Sequence, residues 1–282
     1  MLYESVSSSA MEISLLKAAL LFYLLSTTGF ILSLLSARAF LRVLASTLLF
    51  MTFVIHAGAI IARSLAAGYM AVTNFYEALS FFACLLTGIC LLVQLRAHVA
   101  ILGAVVGPLG FILTLGAFVF YTQVRDLPPN LQSVWVPVHV TLAFLGNAVF
   151  GVAFSASLVY LLQERQLKAK KAYSFFRRLP SLEALDELNY RSLSWGFPLL
   201  TLGILTGAIW AEYAWGHFWS WEPRQVLSLL TWILYALLLH YRTTGWRGRR
   251  AATLTIICFA VLVVSFLSVQ LLFPGRHGGE FG

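Results

Sequence analysis

Charged residues are scarce in this chain. Asp, Glu, Lys and Arg together make up 11% of its 282 residues, whereas 60% of the residues are hydrophobic and the mean hydropathy is +0.85. A soluble globular domain carries about 25% charged residues and needs a polar surface, so this composition excludes one. The sequence instead predicts a polytopic membrane protein embedded in a lipid bilayer.

Cysteine is also rare. The three cysteines, Cys84, Cys90 and Cys258, lie in long apolar runs, and no two of them form a C-x-x-C pair. A C-x-x-C-H heme-attachment sequence is likewise missing, which excludes a c-type cytochrome and a thiol oxidoreductase. We expect all three thiols to be buried packing residues. Internal repeats and low-complexity tracts are absent too, so residues 1–282 are predicted to form a single membrane domain.

Long apolar runs are abundant, and their lengths predict the fold class. A helix needs about 20 apolar residues to cross about 30 Å of hydrocarbon. Two glutamates and no basic residue precede the first run, so it is expected to be a true span and not a cleaved signal peptide. The prediction is an all-α polytopic membrane protein with eight transmembrane helices, near residues 15–36, 42–66, 76–95, 98–121, 135–163, 193–212, 223–241 and 252–273.

The distribution of positive charge predicts the orientation of these helices. Of the 19 Lys and Arg residues, 14 fall in four connections that alternating helices place on one side of the membrane. They are Arg38, Arg42, Arg96, Arg165, Lys168, Lys170, Lys171, Arg177, Arg178, Arg191, Arg242, Arg247, Arg249 and Arg250. The positive-inside rule makes these connections cytoplasmic and both termini external. The net charge of +8 then reflects topology and anionic lipid, and no nucleic-acid partner is expected.

Two connections have compositions of their own. Residues 164–192 are basic and then amphipathic, and Ser181 is placed to start a short surface helix in SLEALDEL. This cytoplasmic loop either docks a partner or is an ordinary positively charged loop. The external connection 122–134 contains Pro128 and Pro129, so it is expected to be extended and not helical.

The most informative segment is external residues 210–224, where WAEYAWGHFWSWEP contains four of the eight tryptophans. Single tryptophans commonly anchor helix ends at a membrane interface, because the indole ring is apolar and its N–H seeks water. Interfacial anchoring does not explain a cluster interrupted by Gly216, His217 and Glu222 and closed by Pro223. A broad aromatic surface beside a histidine suits a flat, hydrophobic, metal-containing ligand, and heme is the leading candidate.

The predicted topology sorts the histidines. His139, at the external start of the fifth span, and His277, just after the eighth, lie on the same side as the tryptophans. Two neutral imidazoles on opposite faces would hold heme six-coordinate. His240 ends the seventh span on the cytoplasmic side, where an interfacial role is equally plausible. His56 lies within the second span, where an ionisable group is costly and indicates either a ligand or pathway role or a bonded neutral imidazole. His217 is a weaker axial candidate, and His98 is expected to have no specific role.

Four blocks of the sequence resemble a known family. The run LNYRSLSWGFPLLTLGILTGAIWAEYAWGHFWSWEPRQVLSLLTWILYALLLHYR resembles the core of the CcsA/ResC-type cytochrome c assembly proteins of System II, with their tryptophan-rich WWD signature. GYMAVTNFYEALSFF, WVPVHVTLAFLGNAVFGVAFSASLVYLL and FPGRH resemble three further blocks of that family in the same order. The resemblance covers roughly residues 50–280.

The resemblance implies functions for particular residues. Proteins of this family are thought to receive reduced heme b from the cytoplasm, pass it to an external site and attach its vinyl groups to a C-x-x-C-H apocytochrome c. The resemblance assigns His139 and His277 to the external axial pair and His240 to the internal heme site. His56 stays a weaker metal candidate because of its position within the second span, and not because of the resemblance. The tryptophan-rich signature matches Trp215, Trp219, Trp221, Glu222 and Pro223, and Trp210 of the same segment is predicted to bind heme with them.

The family also implies partners. The chain has no large external domain to chaperone an apocytochrome, so a CcsB/ResB-type membrane subunit is expected, with thioredoxin-like proteins reducing the apocytochrome thiols. In fused forms that subunit supplies the second ligand of the internal heme, so this role is not transferred to His56. The expected location is a bacterial inner membrane. In this sequence Glu222 replaces the usual aspartate and His217 occupies a position that usually holds a small or aromatic residue, which puts full synthase activity in question.

The sequence alone leaves several interpretations of individual residues and of the function open. Arg125, Arg224 and Arg276 are predicted to be external, where they could pair with heme propionates or be ordinary surface charges. The alternatives to a cytochrome c synthase are a HemX-like membrane protein that affects heme synthesis, a heme exporter without ligation activity, and a helical scaffold without a cofactor.

Overall fold

All regular structure in the described part of the chain is helical, which confirms the predicted all-α class. The computed structural model describes residues 2–36, 38–97, 99–170 and 179–272, without the side chains of residues 2–9 and 269–272. Among these residues, eight helices are long and apolar enough to cross a membrane, as predicted. They are α1 (Leu2–Ser36), α2 (Ala39–Ala67), α3 (Phe75–Ala97), α4 (Gly103–Val119), α5 (Trp135–Lys168), α6 (Leu182–Trp215), α7 (Pro223–Thr243) and α8 (Arg249–Leu272).

The first compact unit, Met1–Gln132, contains α1 to α4. Helix α1 packs against α2 and α4, and α3 packs against α4 and α2. Tyr23 and Phe30 of α1 and Ala45 and Leu49 of α2 form a fully buried hydrophobic cluster. Gly68, in the left-handed conformation with φ of 74°, ends α2, as glycine commonly does because it has no Cβ to clash there.

The second compact unit, Ser133–Gly282, contains α5 to α8. Helix α5 packs against α6 and α8, and α7 packs against α8 and α6. A buried amide joins three of these helices: Asn189 of α6 donates to Ser157 of α5 at 2.8 Å and to Thr255 of α8 at 2.9 Å. Such polar contacts between apolar helices fix which faces of the helices meet.

Helices α5 and α6 approach closely because small residues line their contact. A Cβ added to Gly146 of α5 would lie 2.8 Å from the backbone nitrogen of Leu200, and one added to Gly203 of α6 would lie 2.9 Å from Cα of Ala143. A Cβ on Gly196 would lie 2.6 Å from the ring of Phe150. Without side chains at these positions the two backbones come into direct contact, as small residues allow in membrane helices. We name this contact the glycine seam.

Helix α6 corrects one prediction. The hydroxyl of Ser181 accepts a hydrogen bond from the Ala184 N–H at 3.1 Å, so the predicted helix start is confirmed. The separate short surface helix is wrong, because the helix continues to Trp215. Leu185, Asn189 and Leu193 are buried along one face, so the packed side of the helix has no break between the loop and the sixth span.

The connection between α4 and α5 corrects a second prediction in part. Residues 121–128 have no helical structure, as expected, but Pro129–Leu131 form one turn of 3-10 helix. Pro129 stands at the first position of that turn, where the fixed φ of proline suits a helix start and its missing N–H is not needed.

Candidate functional site

The tryptophan-rich segment joins two helices of the second unit. Trp210 and Trp215 lie in the last turns of α6, and Gly216 ends that helix with φ of 76°. Residues 216–222 form the connection, and Pro223 opens α7 at the first helical position. The side-chain oxygen of Gln225 accepts hydrogen bonds from the N–H of Ser220 at 2.8 Å and from its hydroxyl at 3.1 Å. These two bonds hold the connection against the start of α7.

The four tryptophans are arranged as two pairs. Trp210 is buried, with 5% of its surface exposed, and its ring centroid lies 4.9 Å from that of Trp215. Trp219 and Trp221 meet edge to face at 5.6 Å. Trp221 is 73% exposed and has φ of 57°, a left-handed conformation that a bulky residue adopts at a cost of roughly 1–3 kcal/mol. One pair therefore lies within the helix packing, while the other presents an exposed ring.

His139 of α5 lies beside the first pair. Its Nδ1 is 2.7 Å from the carbonyl oxygen of Gly203, and its ring stacks on Trp210 at 6.4 Å with an angle of 19° between the planes. A carbonyl oxygen only accepts, so Nδ1 is the donor and carries the proton. In a neutral imidazole the other ring nitrogen, Nε2, then has the free lone pair that a metal needs.

One charged side chain acts on this histidine. The guanidinium charge of Arg224, in the first turn of α7, acts on the His139 imidazole, and the Glu222 carboxylate acts in turn on Arg224. The structure thus brings together five residues that the sequence singled out: His139, Trp210, Trp215, Glu222 and Arg224. Among the described residues no three His, Cys, Asp or Glu side chains converge to hold a free metal ion. A single imidazole beside aromatic rings and an arginine suits a metal carried within an organic ring.

His240 lies far from this group of residues. It is exposed near the end of α7, 16 residues beyond Arg224, which corresponds to about 24 Å along the helix. The neighbouring backbone is held firmly: the Arg242 guanidinium donates to both carboxylate oxygens of Asp186 in α6, at 2.7 and 3.2 Å. Asp186 also accepts from the N–H of Gly248 at 2.8 Å. We name these contacts the Asp186 clamp.

His56 belongs to the first unit and is fully buried. Its Nε2 lies 2.9 Å from the Ser80 hydroxyl, and its Nδ1 lies 3.3 Å from the Tyr23 hydroxyl. The Tyr23 hydroxyl in turn lies 2.7 Å from that of Thr87. Both ring nitrogens are engaged, so ligation of a metal would require one of these bonds to break.

The structure also shows a buried charged cluster that sequence reasoning missed. Arg63 of α2, 2% exposed, donates through Nε to Glu77 at 2.9 Å and through Nη1 to Glu12 at 3.4 Å. The Tyr76 hydroxyl donates to Glu12 at 2.5 Å. Burial raises the pKa of the nearby Tyr121, whose ring lies 5.7 Å from the Arg63 guanidinium, so that phenol stays neutral. The available signal was an arginine inside an apolar run, with a glutamate at the start of the next span.

Some predicted site residues lie outside the described part of the chain. His277 and Arg276, expected beside the tryptophans, are among them, and so is His98. Arg125 lies in the first unit, where its backbone oxygen accepts a hydrogen bond from the Tyr69 hydroxyl at 2.9 Å.

Comparisons with known proteins agree with one another. The model of the family described as Cytochrome C assembly protein matches residues 72–277. A cytochrome c biogenesis protein CcsA from Synechococcus elongatus is 34% identical over 262 residues, covering 77% of this chain and 81% of the relative. The CcsA protein of Guillardia theta is 32% identical, covering 76% and 78%. The chain therefore belongs to the cytochrome c assembly protein family, and the predicted role in cytochrome c assembly is confirmed.

A solved structure shares the fold. The cytochrome c heme lyase CcmF matches 92% of this chain with a TM-score of 0.67 at 17% sequence identity. The chain spans 47% of the length of that protein, so it corresponds to about half of the lyase. At this level of identity the match establishes the helical arrangement alone.

Proposed function

We propose that this protein binds ferrous heme b at an external site and presents it for covalent attachment to apocytochrome c. The single observation that carries the proposal is the setting of His139. Its Nδ1 is committed to the Gly203 carbonyl, which directs the lone pair to Nε2, the atom that would bind iron. His277, at the end of the range that the family model matches, is the proposed second axial ligand.

The surroundings of His139 suit the rest of a heme. Indole rings stack favourably on a flat macrocycle, and Trp221 presents most of its surface for such a contact. Arg224 supplies a positive charge beside His139, where a propionate would be stabilised. If the histidines bind the iron and Arg224 binds a propionate, the opposite edge of the heme, which carries the vinyl groups, stays accessible to another protein. Glu222 keeps the negative charge of the family's aspartate on a side chain longer by one methylene.

Attachment of heme to apocytochrome c requires that the heme be held in the correct orientation, and it requires no nucleophile from this protein. Each apocytochrome thiol adds across one vinyl double bond, so that sulfur bonds to one carbon and the hydrogen ends on the other, with no net oxidation. The attacking thiolates belong to the apocytochrome, and the three cysteines of this chain are all buried. The contribution of this protein is then to hold heme in place and to exclude competing ligands, and proximity alone can supply several kcal/mol, up to about 7–11.

His240 is the proposed ligand of an internal heme site. No hydrogen bond of its ring is found within the part of the chain that the structure describes, and the side chain is exposed on the surface of α7. An exposed imidazole at a membrane helix surface is suited to sharing an iron with another subunit. We assign the opposite ligand to a CcsB/ResB-type subunit, with thioredoxin-like proteins keeping the apocytochrome thiols reduced.

The proposed location is a bacterial inner membrane, with both termini and the tryptophan-rich segment on the outer side. The clustering of Lys and Arg in the four connections supports this orientation. The eight apolar helices support a multi-pass membrane location directly.

A reduced-minus-oxidised visible spectrum of the purified protein tests the external site. The protein is prepared alone and with its partner subunit, beside His139→Ala and His277→Ala, with His56→Ala as a matched loss of an imidazole elsewhere. We expect a low-spin ferrous b-type spectrum that weakens in the first two variants and persists in the third. Holocytochrome c yield is measured in the same strains.

Each outcome has a distinct meaning. Normal holocytochrome c in both His139→Ala and His277→Ala would overturn the assignment of the axial pair. Bound heme without any attached product, in a reconstitution containing only this protein, its partner and reduced apocytochrome, would favour heme export. A colourless protein in every preparation would favour a regulatory or scaffold role.

A further inference from the structure

We propose that Gly203 and Gly207 of α6 are positioning residues for His139. Gly203 selects the imidazole tautomer through its carbonyl oxygen, and Gly207 leaves the space in which the ring lies. The inference rests on the proposed function in one respect, since it takes His139 as an iron ligand.

The hydrogen bond is the first part of the argument. At 2.7 Å, the contact between Nδ1 of His139 and the Gly203 oxygen is short for a neutral N–H donor. The Thr206 hydroxyl, whose shorter contact is to the Leu202 oxygen at 2.8 Å, also lies 3.0 Å from the Gly203 oxygen, so it does not displace the histidine from that acceptor. A neutral imidazole bound in this way cannot carry its proton on Nε2 without losing the bond. The backbone of α6 therefore prepares Nε2 as the ligating atom before any iron arrives.

The available space is the second part of the argument. A Cβ on Gly207 would lie 2.6 Å from both Cε1 and Nδ1 of His139, closer than carbon atoms approach in proteins. Trp210 bounds the ring on its stacked face. Residues 203, 207 and 210 are spaced four and three apart, so they lie on one face of α6. On that face, Gly203 supplies the hydrogen-bond acceptor, Gly207 leaves space for the imidazole ring and Trp210 packs against the ring.

Close packing of helices by itself would also use glycine, and the glycine seam offers a matched control. A Cβ on Gly196 meets the Phe150 ring at 2.6 Å, the same distance, in the same pair of helices and away from His139. Gly207→Ala and Gly196→Ala therefore impose comparable steric strain. Only the first displaces the candidate ligand.

The experiment compares the two variants by measurements with and without heme. Ring nitrogen-15 NMR of histidine-labelled protein without heme, with His139 assigned by its loss in His139→Gln, reports which ring nitrogen carries the proton. Titration of hemin under reducing conditions, followed by the low-spin spectrum, reports affinity. We expect Nδ1–H at His139 in the native protein and in Gly196→Ala, and a changed tautomer in Gly207→Ala.

We expect Gly207→Ala to lower external heme affinity about 10–100-fold, the usual effect of disturbing the partner of a metal-binding histidine. Added imidazole should restore the low-spin spectrum of Gly207→Ala by replacing the displaced ring. Equal losses in both alanine variants, or an unchanged tautomer and affinity in Gly207→Ala, would overturn the inference. If Gly207→Ala does not fold, an Nε2–H tautomer in the native protein would overturn it.

The heme-free measurement separates the two proposals. A native protein that has Nδ1–H at His139 but binds no external heme contradicts the proposed function and supports the positioning by Gly203. A native protein that binds external heme with the opposite tautomer supports the function and contradicts the positioning.

Discussion

At the scale of single residues, two imidazoles in apolar helices differ in what their nitrogens contact. His139 uses one nitrogen on a backbone carbonyl. His56 uses both nitrogens on side-chain hydroxyls in a fully buried setting. The first arrangement leaves the lone pair of one ring nitrogen available, and the second engages both ring nitrogens within the interior. Sequence position alone does not distinguish them, because the hydroxyls lie 24 and 33 positions away in the chain.

His56→Ala is expected to destabilise the protein without removing heme. The change removes the imidazole partner of the buried Ser80 hydroxyl, at a cost of roughly 1–3 kcal/mol for an unsatisfied group, whereas the Tyr23 hydroxyl keeps its contact with Thr87. Unfolding in detergent should shift to lower denaturant concentration, while the ferrous heme spectrum keeps its intensity. A lost heme band at unchanged stability would instead make His56 a ligand.

Arg63→Met is expected to destabilise strongly. It removes the cation between two buried carboxylates, and breaking a buried ion pair costs about 3–5 kcal/mol. Arg191→Met is the matched control, because Arg191 pairs with Glu187 at 2.7 Å on an exposed helix surface and contributes about 0–1 kcal/mol. Denaturant unfolding of both variants measures the difference, and equal effects would contradict the buried role.

Sequence reasoning failed at Arg63 for a physical reason. The eight spans and the tryptophan-rich segment follow from local composition, which a single stretch of sequence contains in full. The partners of Arg63 are 51 and 14 residues away and come from two other helices. Local hydrophobicity does not encode such pairings. Arg224 was named as a candidate from topology, yet its action on His139 emerges only from the packing of α7.

At the scale of secondary structure, α6 does more than span a membrane. Its 34 residues correspond to about 51 Å, well beyond the thickness of the hydrocarbon. The sequence predicted the start and the apolar core of this helix but divided it in two, since the polar residues between them suggested a loop. Buried Asn189 and Ser192 show that polar side chains can continue a packed helix face when neighbouring helices bind them or exclude water.

Ser181→Ala is expected to fray the start of α6. Loss of an N-terminal cap costs about 0.5–2 kcal/mol, and the effect should be confined to the first turns. Hydrogen exchange at residues 182–190 should accelerate in this variant, while Ser181→Asp, which keeps an acceptor, should retain the native rate. Unchanged exchange in Ser181→Ala would show that the Asp186 clamp alone maintains this end.

Gln225→Leu is expected to loosen the tryptophan-rich connection. The change removes both hydrogen bonds to Ser220, each contributing about 0.5–1.5 kcal/mol. Gln225→Glu keeps the acceptor oxygen and should behave like the native protein. The measurement is the tryptophan fluorescence spectrum together with external heme affinity, and native behaviour of Gln225→Leu in both would contradict a role for this contact.

At the scale of the whole molecule, the proposed orientation predicts which surface is reachable from outside. Cys84, Cys90 and Cys258 are buried, so a labelling reagent should react with an introduced exposed cysteine and not with these three. Phe218→Cys and Thr244→Cys both replace exposed residues, one in the tryptophan-rich connection and one after α7. A membrane-impermeant maleimide is added to cells whose outer membrane has been permeabilised and whose inner membrane is intact. It should label only Phe218→Cys. Labelling of Thr244→Cys alone would show that the orientation in the membrane is the opposite of the proposed one.

Helix α6 connects the Asp186 clamp to the hydrogen-bond acceptor of His139. Asp186 near one end is clamped to α7, and Gly203, about 26 Å further along, supplies the oxygen that orients His139. Between them Pro198 has no N–H to donate to the carbonyl oxygen of Ser194, so the helix lacks one backbone hydrogen bond at this position. A bend at Pro198 would therefore move the Gly203 oxygen relative to the clamped end. The position of the His139 hydrogen-bond acceptor thus depends on how straight one helix is held between Asp186 and Gly203.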